Sequence, residues 1–171
     1  MSEKELISTV KNNPKYIANI ENPSESVQLA AVQKDPKVIR FIKNPSKNVQ
    51  ILAAETSELL ILASIENPCT EAQLIAVKKD GNNIKYIKNP CEEVQLAAVS
   101  ENGDSIMYIN NPSKRVQLAA VSELSIAIEN IENPSEEVQL AAVKHNIYAI
   151  NYIKNPCDKV KKYVKNVEEN S

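Results

Sequence analysis

The chain has 171 residues, a formal net charge of −2 and a pI near 5.6, with 43% apolar and 25% charged residues. This length supports one domain with a sizeable core, and the composition is typical of a folded chain rather than a disordered one. The nearly balanced charge argues against a strongly basic surface for nucleic acid or membranes. With one histidine and two glycines, most metal sites and glycine-rich phosphate sites are hard to build, and we expect neither metal nor cofactor.

The beginning of the chain indicates a compartment. Residues 1–10 carry three charges and lack an apolar core of signal-peptide length. No apolar run approaches the roughly 20 residues that span a bilayer. The three cysteines, Cys69, Cys91 and Cys157, are odd in number and far apart, which does not indicate a disulfide framework. We therefore expect a cytoplasmic, reduced protein with no membrane contact.

An Asn-Pro pair recurs along the chain, and its regular spacing defines a repeat. Successive pairs are 22 residues apart, except for one step of 23. Residues 22–154 form six full repeats, residues 1–21 fit the same template as a degenerate N-terminal repeat, and residues 155–171 form a truncated last one. Positions in a repeat are counted here from its asparagine. These asparagines are Asn22, Asn44, Asn67, Asn89, Asn111, Asn133 and Asn155.

Each repeat predicts two short helices, A and B. The asparagine at position 1 is predicted to cap helix A, with proline in the first turn and an acid such as Glu25 completing a capping box. Helix A carries V-Q-L-A-A-V and ends at a turn pair such as Asp35-Pro36. Helix B carries Ile-x-x-Ile, as in Ile39 and Ile42, which places both isoleucines on one face. The repeated prolines exclude one continuous helix.

No repeat of this length can bury its own core, so neighbouring repeats must stack. The expected fold is all-α: a right- or left-handed α-solenoid of about seven to eight two-helix repeats, forming a single domain over residues 1–171. In the last repeat, Lys162 and Lys165 replace the leucine and the final valine of helix A. A repeat with nothing beyond it needs a polar outer face, so residues 155–171 are predicted to be a capping repeat.

The run NPSEEVQLAAV at residues 133–143, followed by a short Ile-x-x-Ile helix, resembles a short helical repeat of bacterial and phage proteins of unknown function. This resemblance covers nearly the whole chain. The pattern is also distantly similar to HEAT repeats, although their length of roughly 40–47 residues is about twice as great. The resemblance implies a binding scaffold and a phage origin, and it carries no catalytic residue set.

A glutamine at position 7 recurs in all six full repeats, from Gln28 to Gln139. One hypothesis is a row of amides that binds a peptide backbone or nucleobases. On a helical wheel, however, the position lies within the apolar flank, where an amide must be hydrogen-bonded. The favoured interpretation is structural, with carbonyls of the loop between repeats as the bonding partners.

Aromatic side chains recur at position 20 in helix B. An α-helical wheel places this position about 160–200° from the first core isoleucine, on the side least needed for packing. A row of rings with mixed polar neighbours is typical of a protein-binding surface, and the alternative is ring packing between layers. The predicted partner-binding residues are Arg40, Phe41, Lys85, Tyr86, Tyr108, Tyr148 and Tyr152.

These features predict a non-enzymatic scaffold that binds another protein through the helix B face, in its narrower form a phage-encoded inhibitor of a host enzyme or defence system. The alternatives are a nucleic-acid-binding solenoid and a nucleotide-sequestering one that uses the tyrosine row. Mixed charge along the repeats and the near absence of arginine disfavour nucleic acid. No glycine-rich loop or nucleophile motif accompanies the acidic residues, which argues against an enzyme.

Overall fold

The computed structural model describes residues 1–56 and 59–170. Within these ranges every regular element is a helix, and eight α-helices alternate with seven 3₁₀ helices. The α-helices are α1 Glu3–Asn12, α2 Glu25–Lys34, α3 Lys47–Thr56, α4 Thr70–Lys79, α5 Glu92–Glu101, α6 Lys114–Glu123, α7 Glu136–His145 and α8 Asp158–Glu169. The 3₁₀ helices are η1 Pro14–Asn19, η2 Pro36–Phe41, η3 Leu59–Ser64, η4 Gly81–Tyr86, η5 Gly103–Tyr108, η6 Ser125–Asn130 and η7 Ile147–Tyr152.

The chain divides into two compact modules. Module 1 comprises Met1–Ala76 with Tyr86–Lys88, and module 2 comprises Val77–Lys85 with Asn89–Ser171. Within module 1, α1, α2 and α3 pack in succession, and η1, η2 and η3 form a parallel layer. Within module 2, α5 to α8 and η5 to η7 repeat this arrangement. Each repeat therefore adds one helix to each layer, which confirms the predicted all-α fold of stacked two-helix repeats.

The core uses the same positions in each repeat. Helix A contributes positions 6, 10 and 11, and helix B contributes the isoleucine positions 18 and 21. In module 2, Val116, Ala120 and Val121 are fully buried, and Ile128 is 1% exposed. Burying each such isoleucine contributes roughly 1.5–3 kcal/mol. Small and branched aliphatic residues thus fill the core between the layer of helices A and the layer of helices B, and none of the buried apolar residues of the described chain is aromatic.

The last α-helix departs from this pattern on one side. Val160 and Val164 of α8 are buried, whereas Lys161, Lys162 and Lys165 are exposed. The outer side of this helix is therefore lined with charge, as the sequence suggests for a terminal repeat. No helix within residues 1–56 and 59–170 is long and apolar enough to cross a membrane.

The prediction that asparagine caps helix A is wrong. The N-cap is the residue at position 3, where Ser113 and Ser135 accept hydrogen bonds from the backbone N–H groups of Val116 and Val138. Helix A therefore starts at position 4, which makes Glu25 the first helical residue and too early for the predicted capping box. The box is formed instead at the start of α1, between Ser2 and Glu5.

The asparagine has a different backbone role. The φ angles of Asn22, Asn89, Asn111 and Asn133 lie between 50° and 54°. This left-handed region strongly disfavours most residues but accommodates asparagine and glycine. The Asn-Pro pair consequently forms the turn that brings the chain from helix B into the next helix A.

Helix B is a 3₁₀ helix of six residues in each repeat. With three residues per turn, positions i and i+3 lie directly above each other. The Ile-x-x-Ile spacing therefore places the isoleucines at positions 18 and 21 on one line facing the core. Asp35, Asp80, Asn102 and Asn146 start these helices by accepting a hydrogen bond from the N–H group two residues later. The turn pairs predicted to end helix A thus also cap helix B.

Ion pairs join the starts of helix A in several pairs of neighbouring repeats. In module 1, Lys47 forms an ion pair with Glu71 at 2.5 Å. In module 2, Lys114 pairs with Glu137, and Lys159 pairs with Glu136 at 2.5 Å. These side chains are about half exposed, so each pair adds little to stability. Each pair nevertheless favours the observed pairing of its two neighbouring repeats.

We predict that Gly103→Ala lowers the free energy of unfolding by about 1–3 kcal/mol, the usual cost of overpacking. A Cβ atom at Gly103 would lie 2.7 Å from the carbonyl oxygen of Ala120 and 2.7 Å from the Cβ of Leu124. Urea unfolding followed by circular dichroism measures the loss. Ser122→Ala, on the exposed side of α6, is the control and should unfold like the unchanged protein.

A second prediction concerns pH. The hydrogen bond from Lys47 lowers the pKa of Glu71, so the ionised carboxylate favours the folded state. This stabilisation is present above the pKa of the unfolded chain, near 4.3, and is lost as pH falls through the lowered folded pKa. Glu71→Gln should therefore be slightly less stable than the unchanged protein at pH 7, and the difference should shrink as the pH falls through the lowered pKa of Glu71. A difference that persists in acid would assign the effect to packing.

Candidate functional site

The predicted ring row lies on a different face of helix B from the one that an α-helical wheel gives. In a 3₁₀ helix, position 20 is about 120° from the core isoleucine and lies above position 17. Position 17 is buried, as at Ser105 and Ala149. The rings at position 20 are therefore partly buried at their base, and position 19 is exposed, as at Met107.

The exposed fractions of the aromatic side chains agree with this geometry. At position 20, Phe41, Tyr86, Tyr108 and Tyr152 are 37–41% exposed. Tyr148 at position 16 is 71% exposed. The chain has seven aromatic residues, and these five, all in helix B, are among its exposed large apolar side chains. Most of the aromatic side chains of this chain therefore lie on helix B and are exposed to solvent there.

The structure brings some of the predicted residues together. In module 1 the guanidinium of Arg40 lies 4.8 Å from the ring centre of Phe41, and in module 2 the ammonium of Lys85 lies 5.8 Å from the ring centre of Tyr108. Both distances allow cation–π attraction of about 0.5–1 kcal/mol at an exposed site.

Other predicted residues are separated. Tyr108 and Tyr152 are two repeats apart, and the residue at position 20 of the repeat between them is Asn130. Tyr148 and Tyr152 share η7 but occupy different faces of it. Tyr86 belongs to module 1, whereas Tyr108, Tyr148 and Tyr152 belong to module 2. Module 2 therefore presents its rings at intervals rather than as one contiguous patch.

The glutamine row joins the loops, as the structural interpretation expects. In each of the six full repeats, glutamine Nε2 donates a hydrogen bond of 2.6–3.0 Å to the carbonyl oxygen of the proline five residues earlier. The Oε1 atoms of Gln28, Gln50 and Gln139 also accept from the backbone N–H at position 3 of the next repeat, at 2.7–3.2 Å. One amide thus connects two consecutive turns.

Two neighbouring grooves lie on the loop side of module 2. The first, of about 530 Å³, is lined by Ile109, Asn111, Gln117, Asn130 and Asn133 among others. The second, of about 350 Å³, includes Asn133, Gln139, Tyr152, Lys154 and Asn155. Most of the second lining set lies 22 residues after the first, so the two grooves are the same feature in consecutive repeats. They also share the segment from Ile131 to Asn133, which makes them continuous.

The groove asparagines were missed as candidates because the sequence suggested a capping role for them. Asn111, Asn133 and Asn155 are exposed, and within the described chain no group forms a hydrogen bond with their side-chain amides. Their strict recurrence was the available signal. Recurrence alone, however, does not distinguish an asparagine that caps a helix from one whose amide faces solvent.

The grooves are lined by amides, one ring and side chains of both charge signs. Within residues 1–56 and 59–170, no group of three or more His, Cys, Asp or Glu side chains is placed to hold a metal ion. The second groove combines the acids Glu129 and Glu132 with one cation, Lys154. Amides, one ring and nearly balanced charge suit an uncharged polar ligand better than a phosphate.

Comparison with protein-family models, with curated proteins and with solved structures finds no match to this chain. The resemblance to short repeats of bacterial and phage proteins therefore stays a prediction.

We predict that Gln139→Leu lowers the free energy of unfolding by about 1–3 kcal/mol, because it leaves the Pro134 carbonyl and the Cys157 N–H without their partner. Urea unfolding measures this change. Gln139→Glu keeps the volume of the side chain but replaces the Nε2 donor with an oxygen, so it tests the hydrogen bond alone. Its ionised carboxylate would face the Pro134 carbonyl, so folding should raise the pKa of Glu at this site above about 4.3.

Because the folded form of Gln139→Glu would bind its proton more tightly than the unfolded form, its stability should fall as pH rises above about 4. The gap between Gln139→Glu and the unchanged protein should therefore be larger at pH 7 than at pH 3.5. Equal gaps at both pH values would contradict the assigned hydrogen bond to Pro134.

Proposed function

We propose that this chain is a non-enzymatic helical-repeat scaffold that binds another protein through the exposed aromatic side chains of its 3₁₀ helices. The supporting observation is that five of its seven aromatic residues are exposed on these helices, while aliphatic residues fill the core. Tyrosine suits such a surface because its ring is apolar and its hydroxyl can bond to water or a partner. Interface hot spots are enriched in tyrosine and arginine for the same reason.

The partial burial of the rings also supports binding. Tyr108 and Tyr152 are each about 40% exposed, since position 20 stands above the buried position 17. A ring with a packed base has already lost part of its rotational freedom, so its binding to a partner costs less entropy. Lys85 beside Tyr108, and Arg40 beside Phe41, add cations that can pair with acidic groups of a partner.

The narrower form of the proposal is a phage-encoded inhibitor of a host enzyme or defence system, acting in the cytoplasm. The resemblance to short repeats of phage and bacterial proteins is its support. The free cysteines are compatible with a reducing compartment. A scaffold without catalytic groups acts by occupying a surface, which is the way an inhibitor works.

One observation favours a second candidate, a solenoid that binds nucleic acid or sequesters nucleotides. Tyr152 and Lys154 line the same groove, and a ring beside a cation can stack a base and attract a phosphate. Glu129 and Glu132 in that groove oppose phosphate binding, which ranks this candidate second.

We predict that Tyr108→Ala combined with Tyr152→Ala weakens partner binding at least about tenfold, since each truncated anchor typically costs more than 1 kcal/mol. The measurement is affinity capture from lysate of the source cells, followed by titration of the recovered partner. Tyr163→Ala is the matched control, because it removes a ring from α8 rather than from helix B. Circular dichroism at the capture temperature checks that both variants are folded.

Capture at low and at high salt distinguishes the candidates. A protein partner held by aromatic anchors should remain bound at high salt, whereas nucleic acid should dissociate. The proposal is contradicted if the double variant retains the partner fully, or if Tyr163→Ala loses it equally.

A further inference from the structure

The two continuous grooves of module 2 form one trough, which is named here the loop-side trough. Asn111, Asn133 and Asn155 recur along it, one for each repeat, and Ile109, Ile131 and Ile153 lie between them. The isoleucines are 6–7% exposed and belong to the core. The trough therefore has a fixed apolar base and a row of exposed amides.

These amides are available for a ligand. Within the described chain, no hydrogen bond is made by the side chains of the three asparagines, and the helix caps are supplied by position 3 instead. The adjacent Gln117 and Gln139 are bound to the turn prolines. The trough consequently separates two kinds of amide, one that holds the turns in place and one that faces solvent.

The recurrence of asparagine at position 1 suits both the backbone and a ligand. Asn111 and Asn133 have φ angles of 50° and 54°, which asparagine and glycine adopt more readily than other residues. Of these two, asparagine loses less backbone entropy on folding, and only asparagine adds a side-chain amide. All seven repeats that begin within the chain have asparagine at this position.

Spacing and charge limit the ligand. Packed helices lie roughly 8–10 Å apart, so successive asparagines of stacked repeats advance by about that distance. A polyproline II chain advances about 9.3 Å in three residues, and its main-chain groups have no internal partners. An extended strand repeats every 6.6–6.8 Å, approximately, and would fall out of register. The opposed charges of Glu132 and Lys154 favour uncharged carbonyls over phosphates as the groups to be bound.

We propose that the loop-side trough binds a polyproline II segment of a partner protein, with the amides of Asn111, Asn133 and Asn155 donating hydrogen bonds to every third main-chain carbonyl. Tyr152, at one wall of the trough, provides the aromatic surface on which a proline ring packs. This inference rests on the proposed function as a protein-binding scaffold and specifies the conformation that part of the partner adopts.

The test uses the full chain and a capped oligoproline of about 12 residues, which is four turns of polyproline II. Two-dimensional NMR should show shifts of the side-chain NH₂ signals of the three asparagines on titration. A Gly-Ser peptide of equal length should bind at least about tenfold more weakly, because it must lose conformational freedom to bind. A single-stranded oligonucleotide is the third probe.

Two variants separate the amide from the backbone. Asn111→Gly with Asn133→Gly keeps the left-handed turn and removes both amides, whereas Asn111→Asp with Asn133→Asp keeps the shape and removes the donors. Both should weaken oligoproline binding at least about tenfold, with helical circular dichroism unchanged. The single variant Lys114→Ala, on the helix A side, should bind oligoproline as the unchanged protein does.

The inference is overturned if oligoproline leaves the asparagine signals unshifted, if the glycine variant binds it normally, or if only the oligonucleotide binds. It is also overturned if the captured partner needs Tyr108 but tolerates the loss of both asparagine amides, a result that would leave the proposed scaffold function intact. If oligoproline binds as expected but no protein partner is captured, the polyproline II site in the loop-side trough is supported. The same result contradicts partner binding through the aromatic side chains of helix B.

Discussion

The hydrogen bond from the repeated glutamine to the turn proline is the interaction on which the stacked structure depends. The proline carbonyl lies where helix B ends and the next helix A has not begun, so no helical partner is available to it. Glutamine Nε2 supplies that partner in each full repeat. Where its oxygen also accepts from the next repeat, as at Gln139, one side chain sets the separation of two turns. The trough and the asparagines along it are placed by this connection.

The stacked two-helix architecture could be predicted from sequence because it follows from period and sterics. A 22-residue spacing of Asn-Pro, with an aliphatic pattern too short to form its own core, permits few alternatives to stacking. The polar side of α8 could also be predicted, since Lys162 and Lys165 stand where other repeats have leucine and valine. The bonding of the glutamines followed from the cost of a buried amide without a partner.

The remaining details could not be predicted because different local structures give similar patterns. Ile-x-x-Ile fits one face of an α-helix and equally the direct alignment of a 3₁₀ helix, yet the two place Tyr108 on different sides. Asn-Pro followed by serine offers two plausible caps, and the left-handed φ of Asn133 decides in favour of Ser135. The grooves are formed between repeats, so a single repeat does not contain them.

The charges at the start of helix A in module 2 have a consequence for how this part of the chain can change its length. Acidic residues at Glu92 and Glu136 alternate there with basic residues at Lys114 and Lys159, although α8 itself begins with Asp158. Removing the repeat of α6 alone would bring the acidic starts at Glu92 and Glu136 together. Removing the repeats of α6 and α7 together would instead make the repeat of Glu92 a neighbour of the repeat that carries Lys159. In this stretch, loss of repeats in pairs therefore keeps opposite charges in neighbouring repeats, although each ion pair is individually weak.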